Sequence, residues 1–157
     1  MRYSQQNNIE LASPNDFDEI IELWDLSVRA THHFLEENYR RRIKILLPSI
    51  LPVVSLFVIR SGDDKRISGF LGVSDDKIEM LFIHPEHRGK GVGKVLTEFA
   101  ITGLFKRKVD VNEQNEQAIG FYKRMGFVAT GRTELDSLGK PYPIIEMELI
   151  NHQSGNS

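Results

Sequence analysis

Residues 84–94 read HPEHRGKGVGK, with glycines at 89, 91 and 93 and cations at 88, 90 and 94. A small-residue loop leading from a strand into a helix presents backbone N–H groups and the positive end of the helix dipole, which together make an anion site. Glycine lets the backbone approach closely and take positive φ, while Arg88, Lys90 and Lys94 supply charge. Phosphate is the anion this chemistry suits. Two common phosphate loops do not fit the spacing. A Walker loop counted back from Gly93-Lys94 would need a glycine where Arg88 stands and a hydroxyl where Val95 stands. A dinucleotide loop would need its third glycine where Leu96 or Lys94 stands.

What remains is Arg88-x-x-Gly91-x-Gly93, and this resembles the pyrophosphate-binding loop of the GCN5-related N-acetyltransferase (GNAT) superfamily, Gln/Arg-x-x-Gly-x-Gly/Ala. Downstream, NEQAIGFYKRMGF, residues 115–127, is similar to that superfamily's Asn-x-x-Ala-x-x-Phe-Tyr-x-x-x-Gly-Phe segment. Both motifs stand in the family's order, and the resemblance extends over residues 9–150. Within it, VNEQNEQAIGFYKRMGF and DSLGKPYP are similar to a bacterial subgroup of these acetyltransferases.

The resemblance implies one acetyltransferase domain over residues 1–150, with acetyl-coenzyme A as co-substrate and an amine as acceptor, attacking directly in a ternary complex. It places the coenzyme on Phe82, Ile83, Arg88, Gly89, Lys90, Gly91, Val92, Gly93, Lys94, Asn115 and Tyr122. The pantetheine arm would lie between two splayed parallel strands, residues 77–83 and 108–111. The chain has no cysteine, which excludes an acyl-cysteine intermediate and leaves a seryl one open. A coenzyme-A-binding sensor or interaction module on the same fold is the alternative reading.

Acetyl transfer to an amine raises two proton problems. An alkylammonium of pKa ~10.4 must lose a proton before it can attack, through a base or a water leading to one. Glu79 is the candidate, because family members carry a carboxylate on the strand before the loop; a solvated strand glutamate would look the same. The leaving thiolate needs a proton, and a phenol of pKa ~10 can give one at neutral pH. Tyr122 matches the family's acid in position, while core packing beside Phe121 is its plainer role. Asn115 can both cap a helix and meet the coenzyme arm. Trp24, His32 and His33 fall where family members shape the acceptor pocket. His84 and His87 lack the i, i+4 spacing of a helical metal pair, so no metal is expected. Arg40, Arg41, Arg42 and Lys44 follow Glu36-Glu37 and read as surface pairing.

These residues need a scaffold. Ser13-Pro14-Asn15-Asp16 starts a helix, with serine capping, and Phe17, Ile20, Ile21, Trp24 and Val28 give it one apolar face over residues 14–29. A second helix over 36–47 is stopped by Pro48 and Pro52. Segments 53–60 and 67–74, separated by Ser61-Gly62-Asp63-Asp64, read as a hairpin, with a third strand over 77–83. Val92, Val95, Leu96, Phe99 and Gly103 place a helix inside the glycine segment. A short strand over 108–111, a helix capped by Asn115 and stopped by Gly126, and strands over 127–134 and 142–150 follow. The order is β-α-α-β-β-β-α-β-α-β-β, an α/β fold with a mixed, mostly antiparallel sheet flanked by helices. Residues 151–157 read as a disordered tail.

Composition bounds the rest. At 157 residues, 40% hydrophobic and 27% charged, the chain matches one ordinary globular domain. Twenty Lys+Arg against 22 Asp+Glu leave a net charge of −2, which argues against nucleic acid and against an anionic membrane surface. There is no apolar leader and no run of ~20 apolar residues, so a cytoplasmic location is expected. The acceptor's identity stays open among small amines, amino acids, antibiotics, peptide N-termini and lysine side chains. A homodimer is an open assembly, since family members often pair.

Overall fold

The computed structural model describes residues 8–62 and 64–150. The expected tail, and Asp63 of the expected turn, lie outside the described residues. The chain divides into two compact units, one running to Lys106 and the other beginning at Arg107.

The first unit contains β1 (Ile9–Leu11), α1 (Phe17–Thr31), α2 (Glu37–Ile50), β2 (Ser55–Ser61), β3 (Arg66–Ser74), β4 (Lys77–Ile83) and α3 (Val92–Glu98). Its four strands form an antiparallel meander in which Phe57 faces Leu71 and Phe70 faces Phe82. The second unit contains β5 (Lys108–Asn112), α4 (Glu116–Arg124), β6 (Phe127–Thr133) and β7 (Ile144–Leu149). Here β7 pairs antiparallel with both β5 and β6, so that Met147 faces Val109 and Ala129. The element order is the one expected from the sequence.

Three local details differ from expectation. The first helix opens with a 3-10 turn, Pro14–Asp16, before α1 proper. Ser13 caps it as expected, in a capping box with Asp16: Ser13 N–H donates to Asp16 Oδ2 at 2.9 Å, and the Ser13 hydroxyl lies 3.4 Å from the same oxygen. Pro48 does not end α2, which runs on to Ile50. Proline so near the end of a helix removes one N–H bond but leaves the chain helical, and a further 3-10 turn, Leu51–Val53, completes the stop. The helix after the glycine segment reaches Gly103 as expected, but its last turn, Phe99–Gly103, is π-helical.

The core of the first unit joins Ile20, Leu23, Trp24 and Val28 of α1 to Leu47 of α2, Leu56 and Val58 of β2, and Ile67 and Phe70 of β3. Strand β3 is buried at every position from Ile67 to Val73. Such a strand is covered on both faces, and Gly69 shows why one side must be smooth. A Cβ there would stand 2.9 Å from Ile83 Cδ1, 3.0 Å from Val92 Cγ1 and 3.2 Å from Leu96 Cδ1. The glycine lets α3 lie directly on the sheet. Gly69→Ala is expected to cost about 1–3 kcal/mol, the usual cost of overpacking a filled site. Thermal denaturation measures it, and an unchanged midpoint would show that α3 can slide away freely.

Charge also holds α1 to α2. Asp25 is 2% exposed and Arg40 5%, and the Arg40 guanidinium donates to the Asp25 carboxylate. Lys44 Nζ lies 3.1 Å from the other carboxylate oxygen. Surface pairing therefore describes Arg41, 2.8 Å from Glu37, but not Arg40. Nothing in the local pattern separates the two arginines; only the neighbouring helix does.

Candidate active site

Strand β4 ends at Ile83, and a 3-10 turn, Pro85–His87, joins it to the glycine segment. His84 caps that turn through its ring, Nδ1 accepting from Glu86 N–H at 3.1 Å. Arg88 is extended, and Gly89 and Gly91 take φ of +79° and +84°. Gly91 is the N-cap of α3, and its carbonyl accepts from Val95 N–H at 3.0 Å. Left-handed backbone at two alternating positions is why glycine is needed at both. An ideal Cβ at Gly89 or Gly91 would meet nothing within 4 Å, and residues 88–91 are exposed. The loop is thus an open, cationic stretch running into the first N–H groups of α3, which have no acceptor within their own helix. These features fit a pyrophosphate.

Glu79 lies in β4 where the register slips. Val73 pairs with Ile78 and Gly72 with Met80, so Glu79 is the extra residue of a β-bulge. A bulge re-aims a side chain that simple alternation would place elsewhere. The Glu79 side chain is exposed, and its Oε2 accepts from Ser74 Oγ at 2.6 Å. Ser74 was not picked out by the sequence, and no local signal marks it.

Three residues, two from α1 and its C-cap and one from β3, gather around Phe82 of β4. Trp24 of α1 meets it edge-on with ring centroids 6.4 Å apart, His32 lies at 6.2 Å, and Phe70 of β3 at 5.6 Å. Two of the three expected pocket residues, Trp24 and His32, therefore share one aromatic cluster with Phe82. His33, the third, is exposed beside it. Burial, and then the charges of His33 and Arg88, push the His32 imidazole down to about 4. The charge of Arg88 thus reaches the His32 ring. Phe34 packs on His32 at 5.2 Å and was missed by the sequence, since its own turn gives no period to read.

In the second unit Asn115 caps α4 as expected, its Oδ1 accepting from Ala118 N–H at 3.2 Å. Gly126 follows α4 with φ of +107°. Tyr122 is 5% exposed, its ring packed against Phe121 at 5.1 Å and Phe127 at 5.5 Å. Burial pushes its phenol well above the ordinary value of 10, so it keeps its proton at any physiological pH. His84 and His87 stand edge to face at 5.6 Å, and among the described residues no group of three or more metal-ligating side chains is found.

The glycine loop and the fold around it define an acyltransferase of one family. The profile of the acetyltransferase (GNAT) domain matches residues 25–147, and the chain belongs to that family. It is 42% identical over 140 residues to the peptidyl-lysine N-acetyltransferase YjaB of Salmonella typhimurium, covering 89% of this chain and 96% of the relative. The solution structure of apo YjaB from Escherichia coli superimposes with a TM-score of 0.83 at 42% identity, over 90% of this chain and 96% of that one. The PaiA N-acetyltransferase of Thermoplasma acidophilum, solved in complex with coenzyme A, shares the fold alone, with a TM-score of 0.64 at 20% identity over 90% of this chain and 99% of that one. This chain is an N-acetyltransferase with the family's α/β fold. No helix among its described residues is long and apolar enough to cross a membrane.

Proposed function

We propose that the protein acetylates lysine side chains of peptides or proteins, taking the acetyl group from acetyl-coenzyme A. The observation that carries this reading is the glycine loop itself, with positive φ at Gly89 and Gly91, exposed Arg88 and Lys90, and the start of α3 directly behind. Arg88, Gly89, Lys90, Gly91, Val92, Gly93 and Lys94 bind the pyrophosphate, and Phe82, Ile83 and Asn115 bind the pantetheine arm. The lysine acceptor is suggested by the activity named for YjaB, at 42% identity over almost the whole relative. Trp24, Phe82 and His32 form the wall for its alkyl stem and amine.

Glu79 orients the water that takes the first proton from the ammonium, and its place in a bulge beside Ser74 supports that role. Tyr122 gives a proton to the departing thiolate, which its persistently protonated phenol supports. The enzyme works as a single acetyltransferase domain over residues 1–150, in the cytoplasm, without a metal or a nucleic-acid partner.

Calorimetric titration with acetyl-coenzyme A, with ATP and NAD as controls, tests the donor, and mass spectrometry of a lysine-containing peptide panel tests the acceptor. Binding of the coenzyme alone and a 42 Da gain (one acetyl) on lysine are expected, a mass fixed by the chemistry of acetylation. Glu79→Gln should keep the binding and lose turnover. A folded protein that ignores acetyl-coenzyme A would overturn the reading. Acetylation of free polyamines or peptide N-termini, with lysine untouched, would overturn the acceptor.

A further inference from the structure

Thr31 is the last residue of α1, and its hydroxyl sits between two partners. Oγ1 donates to the Ser27 carbonyl oxygen at 2.9 Å and lies 2.7 Å from His32 Nδ1. A hydroxyl has one proton to give. With that proton on the Ser27 carbonyl, the short contact to the ring requires Nδ1–H to donate and Thr31 Oγ1 to accept. In the neutral ring the lone pair then belongs to Nε2. The backbone holds the same turn, His32 N–H donating to the Val28 carbonyl at 2.7 Å and Leu35 N–H to the His32 carbonyl at 3.1 Å. Phe34 and Phe82 pack on the ring. The imidazole is held in one place, beside the end of the strand that enters the glycine loop, and the Thr31 bond to Ser27 favours the tautomer with its proton on Nδ1.

We infer that His32 is a proton acceptor in acetyl transfer, its Nε2 taking the proton that the attacking nitrogen sheds as it becomes an amide. The inference rests on the acetyl-transfer reading above. An ammonium acceptor loses two protons on the way to an amide. The first leaves before attack, through the water oriented by Glu79. The nitrogen lone pair then forms the C–N bond, the C–S bond breaks with its electron pair going to sulfur, and the thiolate takes a proton from Tyr122. The second nitrogen proton passes to His32 Nε2 and on to solvent, while the first replaces the one Tyr122 gave. One proton is released overall, as the reaction requires.

A weak base suffices for the second proton, because a nitrogen bonded to the former carbonyl carbon holds its protons far less firmly than a free ammonium does. Charged or titratable groups that act on the ring include His33, from its own turn, and Arg88, from the loop after β4; Phe34 and Phe82 carry no charge. Burial, with the positive charge of Arg88 beside it, keeps the imidazole neutral and ready to accept. An anion on Arg88 offsets that charge, so the ring becomes more basic when the donor's pyrophosphate is in place.

Long-range 1H–15N spectra of the whole protein at neutral pH read the tautomer, with Nδ1 protonated and Nε2 bare as the expected result. The His32 titration is expected to move to higher pH when coenzyme A is added. His32→Gln should lower kcat by about 100-fold, the low end for a general base, with acetyl-coenzyme A affinity and melting temperature kept. Thr31→Val should lower kcat as well, and Thr31→Ser should restore it. If His32→Gln does not fold, the Thr31 pair decides. A proton on Nε2, or wild-type turnover in His32→Gln or in Thr31→Val, overturns the inference while leaving the acetyl-transfer reading intact. Wild-type protein that binds no acetyl-coenzyme A overturns that reading, and this role with it.

Discussion

Tyr122→Phe is expected to lower kcat by about 10³-fold while leaving the affinity for acetyl-coenzyme A nearly unchanged, within the range that a positioned acid contributes. The substitution deletes one oxygen from a ring that Phe121 and Phe127 already hold at 5.1 and 5.5 Å. Packing is retained, so the loss isolates the proton. Burial raises the phenol above its ordinary value, which makes it a reluctant acid towards water and keeps its proton in place for the donation proposed above. The sign for pH follows directly. A group with a raised pKa stays protonated as pH climbs through 10, so wild-type kcat should show no loss from this residue below that point. Steady-state kinetics with calorimetry checks both halves. Turnover within threefold of wild type would remove Tyr122 from the chemistry, and a parallel loss of coenzyme affinity would make it a binding residue instead.

Asp25→Ala is expected to destabilise the protein by about 3–5 kcal/mol, because it leaves the Arg40 guanidinium buried without its main counter-ion. For a chain of this length that lowers the melting temperature by roughly 10 °C. Glu37, 3.5 Å from Arg40 but 61% exposed at its side chain, offers only a partial substitute. The double variant Asp25→Leu with Arg40→Met should recover most of the loss, since two apolar groups owe no desolvation cost. A pH arm separates charge from packing. Burial opposes ionisation of Asp25, but the hydrogen bond from Lys44 and the charges of Lys44, Arg40 and Arg29 outweigh it and hold the carboxyl below its ordinary 3.8. A carboxyl lowered on folding stabilises the native state fully above its unfolded value, near pH 4, and loses that contribution as pH falls through the folded value. The wild type should therefore lose stability below about pH 4 more steeply than Asp25→Ala. Parallel acid limbs would mean that the pair contributes shape rather than charge.

The two stability-critical sites differ in how they could be found. Gly69 sits in a run that reads as an ordinary strand, and only the approach of Ile83, Val92 and Leu96 shows that its missing side chain is needed. Asp25 falls on the helix spacing of a core position, and an acid there looks like an error in the pattern until Arg40 and Lys44 arrive from α2. The place of the His32 ring is of the same kind, since one of the two phenylalanines packed on it comes from β4.

What the sequence determined by itself was whatever repeats at short range. Apolar periods of 3.6 and 2 set the order of helices and strands, glycine chemistry shaped the loop at 89 to 93, and Asn115 capped α4 through a bond only three residues long. Even the motifs to which acetyl transfer is assigned by proposal are local, because an anion loop and a helix cap are built from consecutive backbone. The tertiary structure alone decided which side chains meet across elements: the slip of register that makes Glu79 the bulged residue, the gathering of Trp24, His32 and Phe70 on Phe82, and the burial of Arg40 while Arg41 stays on the surface. Local patterns follow from bond geometry and hydrogen-bond reach. Contacts between distant residues follow from how whole faces pack, and a single sequence does not write that down.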